Sequence, residues 1–223
     1  MKLSVTMITM NEEGAIAKVV ADIQRTAPEA EILVVDSSRD RTPEIAESLG
    51  CRVIRQFPPK GYGPAMDRAL REASGDVVLT LDCDDTYPVE SIPAFLKLID
   101  EGYDLVDGSR VWRRPKAMPF ANYLANRLFA LTAKVLCGSL NTDLHSGMRA
   151  YRKTMLDQLS WDPNGPALPV DLVLLPQRLG FKVVELPIDY RERIGQTTLH
   201  RWTSTLWTFK RIFRMARVKA ARP

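Results

Sequence analysis

Cysteine and histidine are scarce in this chain of 223 residues, with three cysteines (51, 83 and 137) and two histidines (145 and 200). An odd number of scattered cysteines with no CxxC pair argues against a disulfide framework, and a reducing cytoplasm is the expected setting. Two histidines leave no material for a His-rich zinc site and little for a Ser-His-Asp triad. Long apolar runs are missing as well. The most apolar region, 117–137, is broken by Arg127 and Lys134, well short of the ~20 apolar residues that cross a bilayer. The opening MKLSVTMITMNEE turns acidic too early for a secretory signal. No membrane span is expected. Disorder is excluded too, because 45% hydrophobic and 26% charged residues suit a chain that buries a core. The length fits one large domain, or one domain with an appendage.

Acidic residues are absent after His200, where seven cations follow: Arg201, Lys210, Arg211, Arg214, Arg217, Lys219 and Arg222. The chain has 31 basic and 27 acidic residues, so residues 1–200 keep 24 basic against 27 acidic. The basic character therefore belongs to the tail. On a helix, Trp202, Leu206, Phe209 and Phe213 form one stripe. A basic helix with such a face suits a lipid headgroup layer; docking of the stripe on the protein's own core is the alternative. No nucleic-acid-binding motif is present, and no nucleic-acid partner is expected. The chain divides into 1–200 and a basic aromatic helix, 201–223.

Before residue 82, β-branched runs alternate with helical stretches. Strands are expected at 3–8, 32–35, 51–54 and 77–81, with helices at 12–25, 42–49 and 64–73. Thr42-Pro43-Glu44 has the form of a capped helix start, and Gly50 of its stop. This alternation indicates an α/β fold, a largely parallel sheet flanked by helices. The later half is more mixed, with a helix over 117–137, a loop 141–145, a strand near 148–151, a helix after Pro169 and a strand over 181–188. In such sheets ligands bind beyond the carboxyl ends of the strands.

Two acidic sites fall at that edge. Asp82-x-Asp84, a DXD pair with Asp85 beside it, ends a buried run, and paired carboxylates there can share Mg²⁺. A solvated turn is the bland alternative. Asp36 ends another strand and could accept hydrogen bonds from a ribose or base, or simply cap a turn. The Gly61-Tyr62-Gly63 loop has Met66 where a dinucleotide fingerprint needs glycine, and no Walker A sequence exists. Arg110, Arg127, Arg149, Arg191 and Arg193 together suit an anionic, phosphate-bearing substrate. Individually, each reads as a surface charge or a partner for an acid.

From Val5 to about Leu199, the order of motifs resembles the family 2 glycosyltransferases of GT-A fold. The closest resemblance is to the dolichyl-phosphate and polyprenyl-phosphate mannose and glucose synthases. The carriers are Asn11-Glu12, Val34 to Thr42 (similar to VVDDxSxDxT), Gly61 to Ala65 followed by Gly75-Asp76, Leu81 to Pro88, and Gly108-Ser109-Arg110. Ser146-Gly147-Met148-Arg149 (similar to SGFR) and Gly180 to Gly195 complete the series. The resemblance implies a GT-A-type, Rossmann-like mixed sheet and an inverting, metal-dependent transferase with Mg²⁺ or Mn²⁺ as cofactor. A hexose (mannose or glucose) would pass from a GDP- or UDP-sugar to polyprenyl phosphate at the cytoplasmic membrane face. It implies that Glu12 and Asp36, with Asp82, hold the donor. Asp82, Asp84 and Thr86 would bind the metal, and Arg110, Arg127 and Arg193 would face the acceptor phosphate. Asp84, Arg110 and Arg193 would be the catalytic set. Ser37 stands where the family has a second Asp, and Thr197-Thr198-Leu199 where SKL is usual.

A phosphomonoester acceptor, with a second pKa near ~6, needs no general base at neutral pH. A hydroxyl acceptor would need one, for which Asp143 and Asp171 are candidates. A hydroxyl-directed transferase and a non-catalytic nucleotide-sugar-binding module are the competing readings.

Overall fold

The computed structural model describes residues 1–195 and 201–220, without the side chains of 201 and 202. The Thr197–Leu199 segment and the Trp202 ring, both singled out in the sequence, lie outside the described residues.

Four strands expected in the first half form one sheet: β1 (Leu3–Thr9), β2 (Glu31–Asp36), β3 (Arg52–Arg55) and β4 (Val77–Thr80). Helices α1 (Ile16–Thr26), α2 (Thr42–Ser48) and α3 (Tyr62–Glu72) connect them. Beyond a 3₁₀ turn at Val89–Ser91 come α4 (Ile92–Asp100), β5 (Leu105–Ser109), α5 (Phe120–Cys137), β6 (Arg149–Arg152) and α6 (Lys153–Leu156). The chain continues through α7 (Leu168–Arg178), β7 (Val183–Pro187) and α8 (Arg201–Ala216). The order across the sheet is β3-β2-β1-β4-β6-β5-β7. All neighbours are parallel except β6, which runs antiparallel to both β4 and β5. That reversal matters for the site. The amino end of β6, rather than its carboxyl end, lies at the ligand edge, and it brings the preceding loop (141–148) there.

The sheet is covered on both faces. Val5, Met7 and Leu79 pack on the side of α1 and α4, against Ile16, Val20, Ile92 and Phe95. Leu33 and Val78 face the other way, against Leu70, Tyr151 and the near-continuous apolar run of α7. Alternation along each strand serves two cores at once. Each large apolar side chain so buried contributes roughly 1.5–3 kcal/mol.

Two sequence expectations need correction. Thr42 is the first residue of α2 rather than its cap, and its hydroxyl donates to Asp40 Oδ1 at 2.5 Å while accepting from the Glu12 amide. Gly50 does stop the helix, with φ +80°, a conformation that favours glycine. The tail stripe is split: Leu206 is 72% exposed and Phe213 52%, whereas Thr208, Arg211 and Ile212 are buried. The docked face of α8 is offset from the apolar stripe because Arg211 and Arg214 both pair with the buried Asp171 of α7. No helix among the described residues is long and apolar enough to cross a membrane.

Candidate active site

The carboxyl ends of β1, β2 and β4 open into a cavity of about 520 Å³, within the usual range for small-molecule sites. Thr9, Met10 and Glu12 enter it from β1, Ser37 from β2 and Asp82, Cys83 and Asp84 from β4. Tyr62 and Ala65 of α3 form one wall. Pro166, Arg193, Thr203 and Ser204 complete the lining, so the amino-terminal turn of α8 is itself a wall.

The turn after β1 is set by Asn11, which has φ +62°, a region asparagine tolerates better than most residues. The Asn11 amide donates to Ser38 Oγ, and its side-chain oxygen accepts from the Arg39 amide at 2.9 Å. This clamp ties the β1 and β2 loops and carries Glu12 into the cavity. Burial, then repulsion from Asp84, push the Glu12 carboxyl up to about 7, against the pull of Arg193.

The turn after β4 places Asp82 and Asp84 together. Asp84 is 1% exposed. Its Oδ1 accepts from the Thr86 amide and hydroxyl, and its Oδ2 lies 2.6 Å from Arg193 Nη2. Burial and the neighbouring Asp84 push Asp82 up to about 6, opposed by Arg110 and Arg193. Behind Asp82 stands Gly147, where a Cβ would come within 2.9 Å of the Asp82 carboxylate. The Gly147 amide donates to Tyr87 Oη at 2.6 Å. Asp85, with φ +61°, turns outward to Lys18 at 2.6 Å, so its charge is met outside the cavity.

Several expected site residues are engaged elsewhere. Asp36 is fully buried, and its Oδ1 accepts from Thr9 and Ser38 while its Oδ2 accepts from the Ser38 amide and Arg55. It organises the β2 turn, and Ser37 lines the cavity in its place. Thr86, expected as a metal ligand, directs its hydroxyl at Asp84 and supports that carboxylate. Arg110 makes a two-pronged contact with Asp143, at 2.7 and 3.0 Å, with Tyr87 Oη at 3.3 Å. Arg127 is exposed on α5 and does not line the cavity. Arg149 is held by Asp107 at 2.6 Å in the core. Asp143 and Asp171 are both salt-bridged and fully buried, which removes them as general bases. Of the expected set, Glu12, Asp82, Asp84 and Arg193 meet in one place. Pro166, Thr203 and Ser204 escaped sequence reading, because nothing local marks residues that converge only through the fold, while Tyr62 and Gly147 lie in quoted motifs that were given no site role.

Among the described residues, no group of three or more His, Cys, Asp or Glu side chains gathers as a metal cage. The cavity instead presents two carboxylates and a third acid, Glu12, with Arg193 as the cation among its described lining residues. A hard cation that takes one or two carboxylates and fills its shell from substrate phosphate fits this oxygen-only, charge-deficient pair.

His145, on the loop before β6, links the site to the tail through Nε2 and Thr208 Oγ1 at 2.9 Å. Burial pushes its pKa from 6.5 down to about 4. The unfolded chain therefore takes up a proton near pH 6.5 that the folded chain refuses until about 4. Stability from this group falls as pH drops through that window. Urea denaturation at pH 7.5 and 4.5 should show wild type losing about 2 kcal/mol more than His145→Gln, the ring's partial exposure keeping the loss below the fully buried limit. Equal losses would remove His145 from the acid sensitivity.

A mixed sheet of this order, with an acid pair at the end of its fourth strand, is the GT-A architecture of glycosyltransferases. The glucosyl-3-phosphoglycerate synthase of Mycobacterium tuberculosis, in complex with Mn²⁺, UDP-glucose and phosphoglyceric acid, shares the fold. Its TM-score is 0.78 at 22% identity, covering 97% of this chain and 80% of that one. The chain belongs to glycosyl transferase family 2, whose model matches residues 4–160. It is 47% identical over 198 residues to the dolichyl-phosphate hexose transferase of Haloferax volcanii, covering 88% of this chain and 86% of that protein. The undecaprenyl-phosphate mannosyltransferase of Micrococcus luteus is 28% identical over 89% of this chain and 88% of its own length. The chain is a glycosyltransferase, as the sequence motifs led one to expect.

Proposed function

We propose that this enzyme moves a hexose, with inversion, from a nucleoside-diphosphate sugar to a polyprenyl phosphate. The nucleoside would enter beside Ser37 and Tyr62, with the diphosphate at Asp82 and Asp84. A divalent ion, Mg²⁺ or Mn²⁺, held by these two carboxylates, would neutralise charge on the departing diphosphate. Arg193 bridges donor and acceptor sides. It pairs with Asp84, and a guanidinium beside the acid pair suits recognition of a phosphate.

The observation that carries the acceptor assignment is the sequestration of Asp143 and Asp171. With both candidate bases locked in ion pairs, a nucleophile that is already anionic fits the cavity better than an alcohol. The dolichyl-phosphate hexose transferase and undecaprenyl-phosphate mannosyltransferase to which the chain is similar point the same way.

The decisive experiment supplies labelled GDP- and UDP-hexoses with Mn²⁺ and a short-chain, water-dispersible prenyl phosphate. An organic-extractable, acid-labile glycosyl phosphate is the expected product. Transfer to a sugar alcohol but none to the lipid phosphate would reverse the acceptor assignment. Release of no nucleoside diphosphate from any donor would support the non-catalytic module instead. Thermal shift identifies the base, since a donor at a hundredfold excess over its Kd adds about 2.7 kcal/mol of apparent stability.

A further inference from the structure

Between Gly108 and Thr142 the chain has no Asp or Glu, and none follows Glu192. These two acid-free stretches contain α5 and α8, which pack on each other: Phe129 meets Phe209 edge to face at 5.1 Å, and Cys137 Sγ reaches the Ile212 carbonyl. The side of α5 turned away from the core is apolar. Phe120, Leu124, Leu128, Leu131 and Val135, spaced by three and four residues, are each 52–74% exposed. Leu206 and Phe213 flank Phe209 by three and four residues, which sets them on the edge of α8 next to α5. Isolated apolar side chains on a surface need no explanation, but a continuous row marks a docking face. Exposed cations border it: Arg114, Lys116, Arg127 and Lys134 on one helix and its approach, Lys210 and Arg217 on the other.

We propose that this α5–α8 face lies on an anionic lipid bilayer. The apolar row enters the boundary between headgroups and acyl chains, and the bordering cations meet lipid phosphates. Charge selects this occupant over a second copy of the chain. Two such faces packed together would set cations against cations with no carboxylate on either helix to offset them. The proposal deepens the acceptor reading above by naming the surface that meets the lipid, and it relocates that contact from the tail alone to α5 with the tail.

The full chain should sediment with vesicles of phosphatidylglycerol and phosphatidylcholine at low salt, and much less with phosphatidylcholine alone or at high salt. Leu124→Ser/Leu128→Ser/Leu131→Ser should lower the partition coefficient at least tenfold, because three leucines lose their burial among the acyl chains. Its thermal melt should be unchanged, because these side chains are exposed. Wild type remaining in the supernatant, equal sedimentation of the triple variant, or indifference to vesicle charge would each overturn the proposal. So would a concentration-dependent dimer abolished by the same triple variant. Transfer to the water-dispersible acceptor separates the two readings. The triple variant should keep that activity, whereas failure of wild type there would count against the acceptor and leave the vesicle result standing.

Discussion

Replacing Asp84 with Asn should lower hexose transfer at saturating donor by about 10³-fold or more, with little loss of folded protein. Asn keeps the shape of the side chain and can still accept from the Thr86 hydroxyl, so the β4 turn survives. What disappears is one of two negative charges that would hold a cation against the leaving diphosphate. Single preorganised electrostatic contacts of this kind are typically worth 10²–10³ in turnover, and a charge shared with a metal is worth more. Arg193, with its side chain 31% exposed, loses a partner but can turn to solvent. Donor-induced thermal shift with Mn²⁺ should fall in parallel with activity. Asp85→Asn is the control, because that carboxylate pairs outward with Lys18 and should leave turnover within twofold. Activity of Asp84→Asn within tenfold of wild type would remove the acid pair from the mechanism.

Asp171→Ala should cost about 3–5 kcal/mol in stability. Asp171 is fully buried on α7, and Arg211, itself 1% exposed, would be left charged in the core between α7 and α8. The Asp162 and Asn164 carbonyls, which also accept from Arg211, cannot replace the lost charge. A domain this size has roughly 5–15 kcal/mol in total, so the midpoint of thermal unfolding should drop by about 10 °C. Thr203 and Ser204 ride on the same helix, so donor affinity should weaken too. The pair Asp171→Leu with Arg211→Met, which removes both charges, should recover most of the lost stability. A single variant as stable as wild type in urea titration would mean that the ion pair does not anchor α8.

The first half of the sheet was legible because its strands are short β-branched runs between helix-period segments. The antiparallel insertion was less so. Leu105–Ser109 ends in Asp-Gly-Ser, residues that favour turns, and it holds as a strand because Arg149 meets Asp107 in the core. Glu12, Asp82, Asp84 and Arg193 were identified through motifs, and the fold brings them together. Asp36 and Arg110 meet Arg55 and Asp143, partners 19 and 33 residues away in sequence that no local motif reveals. In the tail, hydropathy counts an arginine as exposed. The buried Arg211 turned α8 by a face that no apolar stripe could reveal.

Gly147 shows how little slack remains behind the acid pair. One methyl group at that point on the backbone would press on the Asp82 oxygens. The proposed sharing of an ion by two aspartates would thus depend on a position that contributes no side chain at all. A redesign of this enzyme for a new sugar would therefore have to keep position 147 bare or give the Asp82 carboxylate a new place.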